Sequence, residues 1–114
     1  MKTLHKAWIV LVLLAGCAGL GLQPAQTFEQ KLAYSFGVNT AIREASTSAL
    51  DAGSISSSDM EHVLKLNDEA RSLLDAARFA YGAGDVATAE GRLALATSIL
   101  VQLQNYLRSK GVQS

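Results

Sequence analysis

The feature that most constrains the fold is the absence of proline after Pro24, the only proline among 114 residues. Proline inside a helix removes a backbone hydrogen bond and clashes with the preceding turn, so a proline-free stretch of this length is compatible with long, uninterrupted helices. Apolar residues in this stretch recur at spacings of three and four, the period that gives an α-helix one apolar face. The pattern therefore predicts an all-α fold with three helices.

Each predicted helix has a start signal and a glycine near its end. The start signals are the capping boxes Thr27–Gln30 and Ser58–Glu61 and the N-cap residue Asp85. The glycines are Gly53, Gly82 and Gly111. Because the connections between the helices are short, neighbouring helices are expected to be antiparallel. The predicted fold class is an up-down-up antiparallel three-helix bundle that follows an N-terminal signal peptide and a flexible tether.

The predicted core consists of one apolar stripe from each helix. The first stripe is Tyr34, Val38, Ala41, Ile42, Ala45 and Ala49. The second stripe is Met60, Val63, Leu64, Ala70, Leu74, Ala77 and Tyr81. The third stripe is Val86, Ala89, Leu93, Ala96, Leu100, Leu103 and Leu107, which repeats like a coiled-coil heptad. Abundant alanines, with Gly37 and Gly91 inside the helices, predict that the helices approach one another closely.

A second apolar stripe, Leu95, Ile99 and Tyr106, lies beside the heptad of the third helix. A helix in a three-helix bundle contacts two neighbours, so a wide apolar face is expected in a monomer. The alternative is that this stripe forms the seam of an oligomer. We expect a monomeric bundle. Asn67 also falls on a predicted stripe, where it either fixes the register or the oligomeric state of the helices, or points to the rim of the core and caps a neighbour.

Few residues are suited to catalysis. His62 is the only histidine after residue 16, and an exposed histidine in the first turns of a helix is ordinary. The sequence contains no zinc-ligand spacing, no nucleophile elbow and no glycine-rich phosphate loop. Alternating charges on the second helix are typical of a solvated face, and docking is the alternative interpretation. We expect no enzymatic activity, no catalytic residue, no bound metal and no cofactor.

The N-terminal segment carries the strongest functional signal. Lys2 and Lys6 form a basic region, Ala7 to Ala15 form an apolar region, and Leu14-Ala15-Gly16-Cys17 follows at its end. These four residues resemble the lipobox of a bacterial lipoprotein. The resemblance implies that Cys17 becomes the first residue of the mature chain and carries acyl groups. The apolar stretch of residues 7–22 would span roughly 24 Å as a helix, less than the roughly 30 Å of a bilayer core, so an uncleaved membrane anchor is the weaker alternative.

Three segments follow from this interpretation. Residues 1–16 are the predicted signal peptide, residues 17–26 are the lipidated cysteine and a flexible tether, and residues 27–114 are the helical domain. By resemblance to the family, Ala18 after the cysteine favours the outer membrane, with the domain facing the periplasm. After processing, eight basic residues stand against ten acidic ones, and this balance argues against binding to nucleic acid.

The expected partners are membrane lipid, through acylated Cys17, and a protein of the cell envelope. The chain resembles small lipoproteins of bacterial and prophage genomes in its lipobox, its size and its alanine-rich helices. We expect a structural or scaffolding role that depends on protein contacts. A lysis or surface-exclusion lipoprotein encoded by a phage or prophage is the alternative.

Overall fold

A computed structural model describes residues 27–112. It contains three helices, α1 (Phe28–Asp51), α2 (Ser57–Gly82) and α3 (Val86–Ser109), and no strand within this range. The fold is the predicted all-α, up-down-up three-helix bundle. None of the helices in residues 27–112 combines the length and the apolar character needed to cross a bilayer. The predicted signal peptide and tether, with Cys17, lie outside the described residues.

The first helix begins and ends as predicted. Thr27 Oγ1 accepts a hydrogen bond from the Gln30 amide at 3.1 Å, and Gln30 Oε1 accepts one from the Thr27 amide at 3.4 Å, which completes the capping box. At the other end Gly53 has φ 78°, and its amide donates to the Leu50 carbonyl at 3.0 Å. A side chain at this position would strain the backbone, so glycine is the residue suited to this helix end.

The predicted start of the second helix is wrong by two residues. Ser56, not Ser58, is the N-cap: its hydroxyl accepts from the Asp59 amide at 3.0 Å, and Asp59 Oδ2 accepts from the Ser56 amide at 3.1 Å. Ile55, just before the cap, and Met60 are buried in one cluster with Ala49. Such an apolar contact between the residue before the cap and the fourth helical residue fixes where the chain enters the helix.

Replacing Ser56 with alanine is expected to lower the free energy of unfolding by about 0.5–2 kcal/mol, because one amide at the start of α2 loses its acceptor. Ser58→Ala is the matched control, since both serines are exposed and only Ser56 accepts the capping bond. Thermal unfolding followed by circular dichroism measures both variants. A larger loss for Ser58→Ala would contradict the assignment of the cap.

The heptad of α3 forms the centre of the core as predicted, with one exception. Val86 is 47% exposed, because it begins the helix at the end of the bundle. From α2, Tyr81 is exposed and Leu64 is only partly buried. The members of the α2 and α3 stripes that are buried are Met60, Val63, Ala70, Leu74, Ala77, Ala89, Leu93, Ala96, Leu100, Leu103 and Leu107.

The predicted stripe of α1 is largely wrong. Tyr34 and Ala41 are exposed, whereas Ile42 and Ala49 are buried as predicted. The buried face of α1 is instead Leu32, Ser35, Asn39, Ile42, Ser46 and Ala49. It is half polar, which is why apolar periodicity did not identify it.

Hydrogen bonds within the bundle make this polar face tolerable. Asn39 Nδ2 donates to the Asn67 carbonyl and to Asn67 Oδ1, both at 2.8 Å, and Asn67 Nδ2 donates to the Asn39 carbonyl at 3.0 Å. The Ser46 hydroxyl donates to the Ile42 carbonyl at 2.6 Å. No buried side-chain nitrogen or oxygen in the described part of the chain is left without a partner. Asn67 therefore pairs α2 with α1 and does not point to the rim.

The two mid-helix glycines do not mark close helix contacts. A Cβ atom added to Gly37 or Gly91 would have no neighbour within 4 Å, so both glycines face open space. The prediction of close approach at these two positions is wrong. Close packing lies instead at fully buried alanines of α2 and α3, namely Ala70, Ala77, Ala89 and Ala96.

The turn between α2 and α3 follows the prediction. Gly84 has φ 81°, and its amide donates to the Tyr81 carbonyl at 3.0 Å. The Asp85 carboxylate accepts from the Thr88 amide at 3.2 Å and caps α3. Hydrogen bonds from the Thr88 side chain and backbone lower the pKa of Asp85. The carboxylate therefore remains charged at neutral pH, where its charge suits the positive end of the helix.

Candidate functional site

An open groove lies between α1 and α3. Tyr34, Gly37, Val38 and Ala41 line it from α1, Gln104 lines it from α3, and Ile42 lies at its base, with a volume of about 330 Å³. Its lining contains no charged side chain. Tyr34 is 62% exposed, although it belongs to the apolar stripe that the sequence predicted to be core. This surface, called the α1–α3 groove below, is mostly apolar.

The groove exists because α1 buries its polar face. Asn39 faces Asn67, and this pairing leaves Tyr34, Val38 and Ala41 on the side of α1 that faces α3. Gly37 adds no side chain to fill the space. Sequence reasoning recognised the apolar residues of α1 but not Gln104, and no local pattern distinguishes Gln104 from the other polar residues of α3.

A polar cluster joins the start of α2 to the end of α3. The Tyr106 side chain hydrogen bonds to the Asp59 carboxylate, and together with the hydrogen bonds from Ser56 this lowers the pKa of Asp59 to about 2. The same bond to Asp59, with burial, raises the pKa of the Tyr106 hydroxyl. His62 meets Tyr106 edge to face, with ring centroids 6.3 Å apart, and the Lys110 ammonium lies 5.7 Å from the Tyr106 ring centre.

These shifts move both groups away from acid–base catalysis at neutral pH. A general acid or base works best when its pKa lies near the working pH, whereas the pKa of Asp59 is lowered and that of Tyr106 is raised. The cluster instead connects α2 to α3 through a charge-assisted hydrogen bond and ring contacts. The sequence predicts that His62 is an ordinary surface histidine. In the structure its ring packs against the Tyr106 ring of α3.

The second apolar stripe of α3 is divided by the fold. Tyr106 contacts α2 through Asp59 and His62 and is half-buried. Ile99 is also half-buried, and Leu95 is exposed. The contacts of Tyr106 join α3 to α2. The oligomer seam through these three residues remains untested by these contacts.

The charged face of α2 is engaged with α1. The Arg71 guanidinium lies 4.8 Å from the centre of the Phe36 ring and that of Arg78 lies 5.3 Å from it. Asp75 pairs with both arginines, at 3.9 Å and 3.2 Å. Arg43 of α1 pairs with Asp68 of α2. Each of these exposed ion pairs contributes only about 0–1 kcal/mol to the stability of the fold. The paired side chains are, however, already engaged with groups of the same chain.

Among residues 27–112, no group of three histidine, cysteine, aspartate or glutamate side chains is placed to hold a metal ion. Cys17, the predicted lipidation site, lies outside this range. The chain matches no protein-family model, no curated protein and no solved structure.

Proposed function

We propose that this protein is a non-enzymatic lipoprotein of the bacterial envelope, anchored through acylated Cys17 and acting through protein contacts as a structural or scaffolding component. The observation that carries the proposal is Leu14-Ala15-Gly16-Cys17 at the end of an apolar segment with a basic start. Cys17 is the only cysteine, so it has no partner for an internal disulfide in an oxidising compartment. Lipidation accounts for a single cysteine at this position.

The energetics of acylation favour a permanent anchor. Each buried methylene contributes about 0.8 kcal/mol, one acyl chain binds only marginally, and stable anchoring takes two or more. Cys17 acylated on both its thiol and its amino group would exceed that requirement. Residues 18–26 contain two glycines and the only proline, and a flexible chain of nine residues would have a root-mean-square reach of roughly 15–18 Å. The helical domain would then stay close to the lipid headgroups, and we place it on the periplasmic side of the outer membrane.

The character of the bundle supports action by contact and not by catalysis. The α1–α3 groove is apolar and uncharged, and the pKa values of Asp59 and Tyr106 are shifted away from neutrality. A scaffold needs a rigid domain held at a defined place, and a three-helix bundle on a short tether meets both needs.

Cys17→Ser is expected to abolish incorporation of labelled palmitate and to stop maturation, because serine has no thiol to acylate. Ala18→Ser is the matched control, since it introduces the same side chain next to the cysteine and leaves the thiol in place. Metabolic labelling, followed by separation of inner and outer membranes, measures both variants.

The proposed mature chain also lacks Trp8, the only tryptophan, so purified wild-type protein should show tyrosine emission alone. Full-length protein with unmodified Cys17 in the envelope fraction would overturn the proposal.

A further inference from the structure

The turn between α2 and α3 exposes large apolar side chains. Phe79 is 80% exposed and Val86 is 47% exposed, on either side of Gly82-Ala83-Gly84. Residues 79–86 are called the hairpin tip below. The only charged group in the hairpin tip is the Asp85 carboxylate, which caps α3. A phenylalanine this exposed at a small, nearly uncharged turn contributes nothing to the core of the bundle and is available to an apolar environment.

The hairpin tip lies at the end of the bundle where the chain enters α1. Asn39 and Asn67 are at the same level, since they bond to each other. The two helices are antiparallel, so Leu32, seven residues before Asn39, is level with Leu74, seven residues after Asn67. Phe79 is five residues further along α2, about 8 Å at 1.5 Å per residue. The first residues of α1 are therefore at the same end of the bundle as the hairpin tip.

Charge is distributed unequally along the long axis of the bundle. Residues 71–92, which form the hairpin end, carry three arginines and three acidic residues and are neutral. In the remainder of residues 32–112, six acidic residues stand against four basic ones. A membrane that contains anionic lipid repels this acidic remainder of the bundle more than it repels the neutral hairpin end. Charge and exposed apolar surface therefore favour the same orientation.

We propose that the hairpin tip rests in the headgroup boundary of the membrane that Cys17 anchors to, with Phe79 and Val86 in contact with lipid. This inference rests on the proposed lipid anchor. Apolar side chains such as phenylalanine are the ones that membrane-surface elements bury by about 5–10 Å at this boundary. The contact is weak alone, but the short tether raises the effective concentration of the hairpin tip at the membrane. The anchor and the hairpin tip together hold the bundle upright.

The test uses the full chain with Phe79→Cys, labelled with a fluorescent dye on the introduced thiol and reconstituted in vesicles of phosphatidylethanolamine and phosphatidylglycerol with brominated acyl chains. Val101→Cys is the control. Val101 is the same residue type as Val86 and has the same exposure, 47%, but it lies 15 residues further along α3, about 22 Å away. We expect bromine to quench the dye at position 79 several-fold more than at position 101. Circular dichroism verifies that both variants remain helical, and Val86→Cys serves as a second probe of the hairpin tip.

Equal quenching at positions 79, 86 and 101 would overturn the inference, because lipid would then not prefer the hairpin tip. No quenching at any of these positions would also overturn it, because the hairpin tip would not touch lipid even in the absence of a competing protein. Mass spectrometry of the same samples reports the acylation of Cys17 separately. Acylated protein without quenching at the hairpin tip would leave the lipid anchor in place and overturn only the orientation. Protein without acyl groups would overturn the proposed anchor and, with it, this inference.

Discussion

Leu100→Ala is expected to lower the free energy of unfolding by about 2–5 kcal/mol, since truncation removes buried methylene groups and leaves a cavity. Leu100 is 2% exposed in the central heptad of α3. A domain of this size is stable by only about 5–15 kcal/mol, so the loss is a large fraction of the total. Urea unfolding followed by circular dichroism measures it, and the melting temperature should fall in parallel.

The adjacent residue provides the control. Val101 is 47% exposed on the same helix, and Val101→Ala should change the stability by no more than about 0.5 kcal/mol. Helix propensity differs by no more than about 0.7 kcal/mol among leucine, valine and alanine, so it does not account for a loss of about 2–5 kcal/mol at Leu100. Similar losses for the two substitutions would contradict the placement of the α3 heptad at the centre of the core.

Asn67→Leu is expected to cost about 1–3 kcal/mol, because it leaves part of the buried Asn39 amide without a partner. The Asn39 amide would keep its bond to the backbone carbonyl of residue 67 and lose the bond to Asn67 Oδ1. The Asn39 carbonyl would also lose the bond from Asn67 Nδ2. Both residues are buried, so water does not replace these bonds without cost.

The double variant Asn39→Leu with Asn67→Leu separates pairing from packing. Replacing both partners of a buried polar pair by apolar groups of similar shape is often nearly neutral, so the double variant should be more stable than the sum of the two single losses predicts. Unfolding of the wild type, both single variants and the double variant gives the coupling energy. Strictly additive losses would show that the two side chains do not act as a pair.

The loss of this pair should also affect the uniqueness of the fold. A single polar contact at a fixed level favours one register of α1 against α2, whereas apolar side chains alone permit sliding. The sequence placed Asn67 on the apolar stripe of its helix and left its role open between fixing register and capping the rim. In the structure Asn67 bonds to Asn39 on the polar face of α1, so the role in register is the one that fits.

Local signals in the sequence were sufficient where the interactions they predict are local. Thr27 and Gln30 bond across three residues, Asp85 caps α3 through Thr88, and Gly53 ends α1 with a positive φ. Each of these depends only on neighbouring residues, so the sequence alone determined it. The α3 heptad was also evident, since all of its members after Val86 are apolar and buried. The proposed lipidation of Cys17 rests on the sequence alone, because Cys17 lies outside the residues that the structure describes.

Other features depended on residues far apart in the chain. Two serines can cap α2, and the packing of Ile55 and Met60 in one cluster with Ala49 and the distant Val112 favours Ser56. The α1–α3 groove likewise depends on distant residues. Because Asn39 pairs with Asn67, Tyr34 and Ala41 remain exposed in the groove that faces α3, although periodicity predicted both to be core. Periodicity assumes that the buried face of a helix is its apolar face, and only the packed bundle shows where a satisfied polar pair makes the other face the buried one.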